Sequence, residues 1–287
     1  MNNYQYPKDL VNRIINNDCM DVTKYIPDRS VDMVLCDLPY GLTANKWDFI
    51  IPLDWLWKEY ARLIKPNGVV VLTSQGRFSA QLIMSSEGHV DYKYSMVWIK
   101  PNHTNFVNAK KQPLRKHEDL LVFYNDQPVY NPQGLEKFNK MTRQGAKMSD
   151  SYGGNKNGKP RASQYFQEYT NYPTDVIYTQ KATTKKHPTE KPVELFSYLM
   201  KTYTNEGGLV IDNCVGSGTT AVVAKCLKRN FICIEKNKEY YDMAIKRLRD
   251  SDKEEEKIKM PLRNNKEDKT QSKKGEGNKV ASIFDDF

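Results

Sequence analysis

The sequence predicts an α/β protein built on a doubly wound, mostly parallel sheet with a loop-rich insert. Three observations carry that expectation. Short apolar runs rich in β-branched residues alternate with stretches of helical periodicity, the rhythm of a parallel sheet covered on both faces. Two of those runs end in loops that carry chemistry: Val31–Cys36 leads into Asp37-Leu38-Pro39-Tyr40, and Leu209–Asp212 leads into a glycine turn. Residues 126–186 break the rhythm, and about sixty residues without clear periodicity are unusual in a compact domain unless they serve a function.

Taken in order, Val11–Asn17 reads as a strand presenting Asp18 at its carboxyl end. Residues 21–29 read as a short helix and turn, and Val31–Cys36 as a buried strand containing one acid, Asp32. Trp55, Leu56, Tyr60, Leu63 and Ile64 recur at helical spacing, and Pro66-Asn67-Gly68 is expected to stop that helix. Val69–Leu72 is the next strand and Arg77–Ser86 the next helix. Tyr94–Ile99 and Leu120–Tyr124 are strands with no helix between them, which predicts an antiparallel hairpin at one sheet edge. Pro192–Thr204 carries an apolar stripe. The strand Leu209–Asp212, a helix to Lys228, the strand Phe231–Ile234 and a helix to about Arg249 follow. These elements divide the chain into residues 1–125, an insert at 126–186, a second half at 187–249 and a charged tail at 250–287. The tail is poor in apolar residues and is expected to be disordered. Its last residues, Ile283-Phe284-Asp285-Asp286-Phe287, regain apolar character and would suit a docking partner with a basic, apolar groove.

Composition narrows the partners. The net charge is +9, and between Lys100 and Lys191 sixteen Lys/Arg face eight Asp/Glu. In residues 250–287 nine face ten, so the excess is local and points to a polyanion. In the insert, Tyr130, Phe138, Tyr152, Tyr165, Phe166, Tyr169, Tyr172 and Tyr178 are interleaved with Lys137, Lys140, Arg143, Lys147, Lys156, Lys159 and Arg161. The five cysteines form no C-x-x-C pair and the four histidines are scattered, so reduced thiols and no metal site are expected. No run of about 18 apolar residues occurs, which predicts no membrane span. The first residues lack a signal-peptide pattern, and a cytoplasmic protein is expected.

The glycine turn reads Asp212-Asn213-Cys214-Val215-Gly216-Ser217-Gly218, and Glu235 closes the following strand. Glycines there let a ligand approach the backbone, and a carboxylate one strand on can accept from ribose hydroxyls. Alone, the pattern fits a dinucleotide, a nucleoside-sulfonium cofactor or a purely structural turn. Asp37-Leu38-Pro39-Tyr40 is more selective. An exocyclic amine on a base is a poor nucleophile because its lone pair is delocalised into the ring. Asp37 can accept one N–H and the Leu38 or Pro39 carbonyl another. Proline stiffens the turn, and Tyr40 offers a face to the base. That is positioning and electrostatics with no covalent enzyme intermediate.

On these residues the chain resembles the beta-class amino-methyltransferases of DNA. That family carries a D/N/S-P-P-Y/F/W motif first, a target-recognition region next and a D-x-F-x-G-x-G motif last. Here Leu38 replaces a proline and Cys214 replaces the phenylalanine. His187-Pro188-Thr189-Glu190-Lys191-Pro192, Trp98–Asn102 and His117-Glu118 also resemble family segments. The resemblance covers about residues 10–249. It implies a circularly permuted class I methyltransferase fold that uses S-adenosyl-L-methionine on double-stranded DNA, and leaves room for a homodimer. It also implies roles: Asp37, Leu38, Pro39 and Tyr40 hold a flipped base, while Asp212, Gly216, Gly218 and Glu235 hold the cofactor. Asp18 lies near the cofactor adenine, and Lys191 touches the cofactor unless it is a surface lysine. Asp rather than Ser at the head of the motif favours adenine N6 over cytosine N4.

Overall fold

A computed structural model describes residues 3–41, 51–143, 164–179, 190–259 and 262 of the 287-residue chain. In chain order the main elements are β1 (Arg13–Asn16), α1 (Cys19–Val22), β2 (Val31–Cys36), α2 (Leu53–Leu63), β3 (Ile64–Ser74), α3 (Arg77–Ser85), β4 (Tyr92–Thr104) and β5 (Arg115–Phe123). They continue as β6 (Glu136–Arg143), β7 (Gln164–Thr170), β8 (Val176–Tyr178), α4 (Val193–Tyr203), β9 (Leu209–Asp212), α5 (Thr219–Cys226), β10 (Asn230–Glu235), α6 (Lys238–Arg249) and α7 (Glu255–Lys259).

Eight strands form one sheet in the order β1-β10-β9-β2-β3-β5-β4-β8, and β6 pairs with β7 in a separate two-stranded ribbon. Only β5 runs against its neighbours in the main sheet. Period-two alternation sends successive side chains to opposite faces. Phe231 and Cys233 join the core under α4, α5 and α7, while Ile232 and Ile234 join the core under α1–α3. The two halves of the chain meet at β2 and β9, where Met33 pairs with Val210 and Val34 with Ile211. Because those strands are parallel, the loops after Cys36 and after Asp212 leave the same edge of the sheet. The acid in β2 has a structural reason. Asp32 accepts from Lys65 Nζ at 2.7 Å and from the Leu209 N–H at 2.8 Å, tying β2 to both neighbours.

Several expectations are corrected. Pro66-Asn67-Gly68 does not stop α2; the helix ends at Leu63, and the tripeptide forms a bulge within β3, between the pairs Val31–Ile64 and Met33–Val69. A Cβ on Gly68 would lie 2.9 Å from Ile64 Cβ, so glycine is required by the bulge rather than by a helix cap. The expected β4–β5 hairpin is present, but β8 pairs with β4 and takes the edge. The described parts of the insert are therefore not mere loop: they supply β6, β7 and β8. Residues 144–163, with Tyr152, Lys147, Lys156, Lys159 and Arg161, lie outside the described residues. The tail is also ordered further than its composition predicts, through a 3-10 turn at Ser251–Glu254 and α7. Ile258 is fully buried and its carbonyl accepts from Ser197 Oγ at 2.6 Å and Lys201 Nζ at 2.8 Å, while Ser251 is buried and Glu254 pairs with Arg247. Residues 281–287 lie outside the described residues. Among the described residues no helix is long and apolar enough to cross a membrane.

Ile258→Ala should therefore lower stability by about 2–4 kcal/mol, the range for deleting a buried aliphatic side chain. Urea unfolding measures this, and an unchanged midpoint would mean that α7 is not part of the core.

Candidate active site

Asp37 follows β2 directly, and Leu38 anchors the turn by burying its side chain in the core under α1–α3. Asp37 Oδ1 accepts from the Tyr40 hydroxyl at 3.0 Å and from the Thr73 hydroxyl on β3. Asp37 Oδ2 accepts from Lys191 Nζ at 2.6 Å. Lys191 is 8% exposed, so it is no surface lysine, and it also lies 3.3 Å from Glu118 Oε2. Glu118 Oε1 in turn accepts from Lys100 Nζ at 3.2 Å. The result is a row of alternating charges, Lys100–Glu118–Lys191–Asp37, leading to the end of β2. Glu118 Oε2 contributes charge to Lys191 without making a hydrogen bond.

Burial alone would push Lys191 toward neutrality, but the Asp37 and Glu118 carboxylates outweigh it and raise its pKa. Burial likewise pushes Glu118 up, and Lys191 with Lys100 brings it below the usual carboxylate range. Tyr40 is raised well above an ordinary phenol by burial and by the Asp37 and Glu118 charges, so it stays a neutral donor. Its ring packs against Phe78 at 5.3 Å between centroids, and Lys191 Nζ lies 5.9 Å from its centre. The ring that the sequence offers for stacking is thus tied back through its hydroxyl.

The second half of the site lies one strand over. Asp212 is buried and faces inward: Oδ1 accepts the Cys214 N–H at 3.0 Å and Oδ2 the Thr220 hydroxyl. Burial pushes its pKa up to about 6 against the pull of those donors. Its visible work is to shape the loop. The two glycines differ. Gly216 has φ +53° and, beyond the Cys214 carbonyl at 4.0 Å, open space where a Cβ would sit. Gly218 has φ +88°, and a Cβ there would stand 2.9 Å from Ala244 Cβ on α6. The first glycine leaves room for a ligand; the second lets α6 pack against the start of α5. Glu235 Oε2 accepts the Gly216 N–H at 2.9 Å and Oε1 the Asn237 N–H at 2.8 Å. Burial raises Glu235, and these backbone donors pull it back. Asp18 caps α1 through the Met20 N–H and pairs with Lys236 at 2.8 Å, beside Glu235 because Asn16 and Glu235 are register partners. Burial opposes ionisation of Asp18, yet Lys236 and the Met20 N–H hold its pKa below the ordinary value.

The Asp37 corner and the glycine turn leave the same edge of the sheet; Lys191, expected to touch the cofactor, has its Nζ on Asp37 and its carbonyl against Thr219, and His187-Pro188-Thr189 lie outside the described residues. Thr73 and Arg247 were missed, and Glu118 and Lys100 were seen only as parts of familiar segments. Arg247 on α6 is buried and ion-paired with Glu190 at 3.0 Å and with Glu254 at 2.8 Å. Its Nη1 also donates to Ser217 Oγ at 3.1 Å and to Thr219 Oγ1 at 2.9 Å, and Thr219 Oγ1 donates to the Lys191 carbonyl at 3.2 Å. One guanidinium thus fastens the glycine turn, the Glu190-Lys191 segment and the tail together. Among the described residues no cluster of His, Cys, Asp and Glu is arranged for a metal ion. Burial pushes the Cys36 thiol well above its ordinary pKa, which makes it a poor nucleophile. Arg247→Met should lower stability by about 3 kcal/mol in urea unfolding, because it removes a buried guanidinium's ion pairs to Glu190 and Glu254 and its hydrogen bonds to Ser217 and Thr219. A loss under about 0.5 kcal/mol, the scale of an exposed pair, would contradict that account.

Comparison with known proteins agrees with this arrangement. The N6/N4 DNA methylase family model matches residues 31–246. The chain is 27% identical over 246 residues to the type II methyltransferase M.HpaI of Haemophilus parainfluenzae, covering 82% of this chain and 74% of that protein. It is 27% identical over 257 residues to the DNA adenine methyltransferase YhdJ of Escherichia coli (strain K12), covering 82% of each. Among solved structures, the complex of M1.HpyAVI with S-adenosylmethionine aligns with a TM-score of 0.55 and 24% identity, over 82% of this chain and 98% of that one. The cytosine-N4-specific PvuII DNA methyltransferase aligns with a TM-score of 0.61 and 17% identity, over 85% of this chain and 89% of that one. The fold is that of the class I methyltransferases. With the family match spanning both the Asp37 corner and the glycine turn, the chain belongs to the N6/N4 DNA methylase family.

Proposed function

We propose that this DNA methyltransferase moves a methyl group from S-adenosyl-L-methionine to N6 of an adenine extruded from duplex DNA, as a cytoplasmic enzyme. The observation that carries the reading is the adjacency of the Asp37 corner and the glycine turn across β2 and β9. Open space at Gly216, and a Glu235 carboxylate with acceptor capacity left beyond its backbone donors, fit a nucleoside-bearing cofactor. When bound, that cofactor supplies an electrophilic methyl on a sulfonium.

The chain's own residues then act on the amine. The incoming N6–H takes the place of the Tyr40 hydroxyl at Asp37 Oδ1, and the released ring is free to stack on the base. Asp37 and a carbonyl of Leu38 or Pro39 draw the two N–H bonds into one plane, which turns the lone pair toward the methyl. Lys191, held between Asp37 and Glu118, fixes the Asp37 carboxylate in place through Oδ2. The amine gains one methyl and loses one proton, which Asp37 is placed to accept or pass to water. Adenine is chosen over cytosine because the motif opens with Asp; relatives of both kinds exist by name, so N4-methylcytosine is the competing product. The localised basic excess supports duplex DNA as the substrate.

Three measurements test the reading. Nuclease digestion and mass analysis of DNA from cells expressing the chain should yield N6-methyladenine, and N4-methylcytosine alone would overturn the base assignment. Asp37→Ala and Lys191→Met should each cut single-turnover methyl transfer by about 100-fold or more while cofactor affinity moves by less than about threefold; loss of cofactor binding in Lys191→Met would return that lysine to the cofactor site. Log affinity for DNA against log salt should fall with a slope of about −4 or steeper, and a flat plot would remove the polyanion contacts.

A further inference from the structure

Between β4 and β5 the chain rises past the sheet edge as a tip with unusual chemistry. Asn105 adopts the left-handed conformation, φ +72°, and starts a one-turn 3-10 helix over Phe106–Asn108. The Asn108 amide nitrogen donates to Asn105 Oδ1 at 2.8 Å, and the Asn108 N–H to the Asn105 carbonyl at 3.1 Å, so the tip has a defined shape. That shape presents two adjacent apolar side chains to solvent: Phe106 is 65% exposed and Val107 97% exposed. Neither joins the buried cores or packs against them. The residues around them are cationic. Lys110, Lys111, Arg115 and Lys116 are all exposed, and no acid occurs between Lys100 and His117.

The tip's position is as informative as its composition. β4 runs parallel to β2 and β3, so its end lies on the sheet edge that bears Asp37. Glu118, in contact with Lys191, sits at the root of the same hairpin opposite Trp98. At about 3.3 Å per residue, Arg115 and Thr104 stand roughly 10 Å above Glu118; at about 4.8 Å per strand, the tip lies roughly 14 Å across from β2. An apolar point within a basic collar, on the sheet edge that bears the amine-binding corner, matches the demand of base extrusion. Removing a base from a duplex leaves a gap in the stack, and an apolar side chain that fills it offsets part of the unstacking cost. Met141 and Phe166 on the β6–β7 ribbon are also exposed. They are the weaker choice, because that ribbon is a separate two-stranded sheet, whereas the β4–β5 tip belongs to the sheet that bears Asp37.

We propose that Phe106 and Val107 form the wedge that enters the DNA base stack as the target base leaves it, with Lys110, Lys111, Arg115 and Lys116 holding the flanking phosphates. The inference rests on the amine-methylating reading of the Asp37 corner. Its test uses two duplexes containing the site methylated in vivo: one with the target base normally paired, one with an abasic sugar opposite the target. Single-turnover transfer is measured with the full chain and with the double variant Phe106→Ser, Val107→Ser, whose exposed positions leave thermal unfolding unchanged. On the paired duplex the variant should lose about 10- to 100-fold in rate. On the abasic duplex, where extrusion is already easy, the loss should shrink below about threefold. Equal losses on both duplexes would make the tip a general binding contact and overturn the wedge, as would no loss on the paired one. If the unaltered chain methylates neither duplex, the amine reading fails and the wedge with it; that outcome is told apart because the unaltered chain is itself silent.

Discussion

The active-site half of this molecule depends on the ion pair between Asp37 and Lys191. A lysine 8% exposed is expensive to keep charged unless carboxylates meet it, and Asp37 and Glu118 both do. Lys100 extends the arrangement on the far side of Glu118, so that no charge in the row lacks an opposite neighbour. A pair of this kind adds little net stability by itself; what it does is hold the Asp37 carboxylate in one orientation. The hydroxyls of Thr73 and Tyr40 complete the shell on the other oxygen. They are neutral donors and so weaker partners than the Lys191 ammonium.

That pair has to be delivered from distant parts of the chain. Asp37 arrives on β2, Glu118 on β5, and Lys191 on the segment before α4. Beyond the Lys191 contacts, the segment is held by Arg247, which grips Glu190 on one side and Ser217 and Thr219 of the glycine turn on another, while Glu254 completes the guanidinium's ionic contacts. The planar fork of an arginine can serve several acceptors at once where a lysine ammonium cannot. The cofactor half and the catalytic half are thereby joined twice: by the β2–β9 pairing in the sheet, and by this buried guanidinium above it.

What the sequence revealed follows from range. The Asp37 corner and the glycine turn are contiguous motifs whose chemistry is local, and both were legible, as was the sheet that places them together. Lys191 was visible, but its partner lies 154 residues away, and spacing in sequence carries no information about that contact. Arg247 reads as one cation in the last turn of an amphipathic helix; only the packing of α6 against Gly218 shows that it points inward. The tail failed for a related reason. Composition averages over a window, and a buried isoleucine with two donors on its carbonyl, together with the Glu254–Arg247 pair, outweighs several solvated charges. Pro66-Asn67-Gly68 carries a turn signal that a helix stop and a strand bulge share, and only the register of β2 on β3 separates them.

The basic excess shows why net charge must be divided before it is interpreted. Lys100 and Lys191 belong to the same segment count as Lys110, Lys111, Arg115 and Lys116, yet they face inward and are neutralised by Glu118 and Asp37. They contribute almost nothing to the field a polyanion meets. The outward four stand together on a strand-tip structure with no acid among them, so their fields add. One population of lysines therefore pairs with inward-facing carboxylates, and the other faces solvent. The β4–β5 hairpin carries members of both: Lys100 pairs with Glu118 within it, and the four exposed cations stand near its tip.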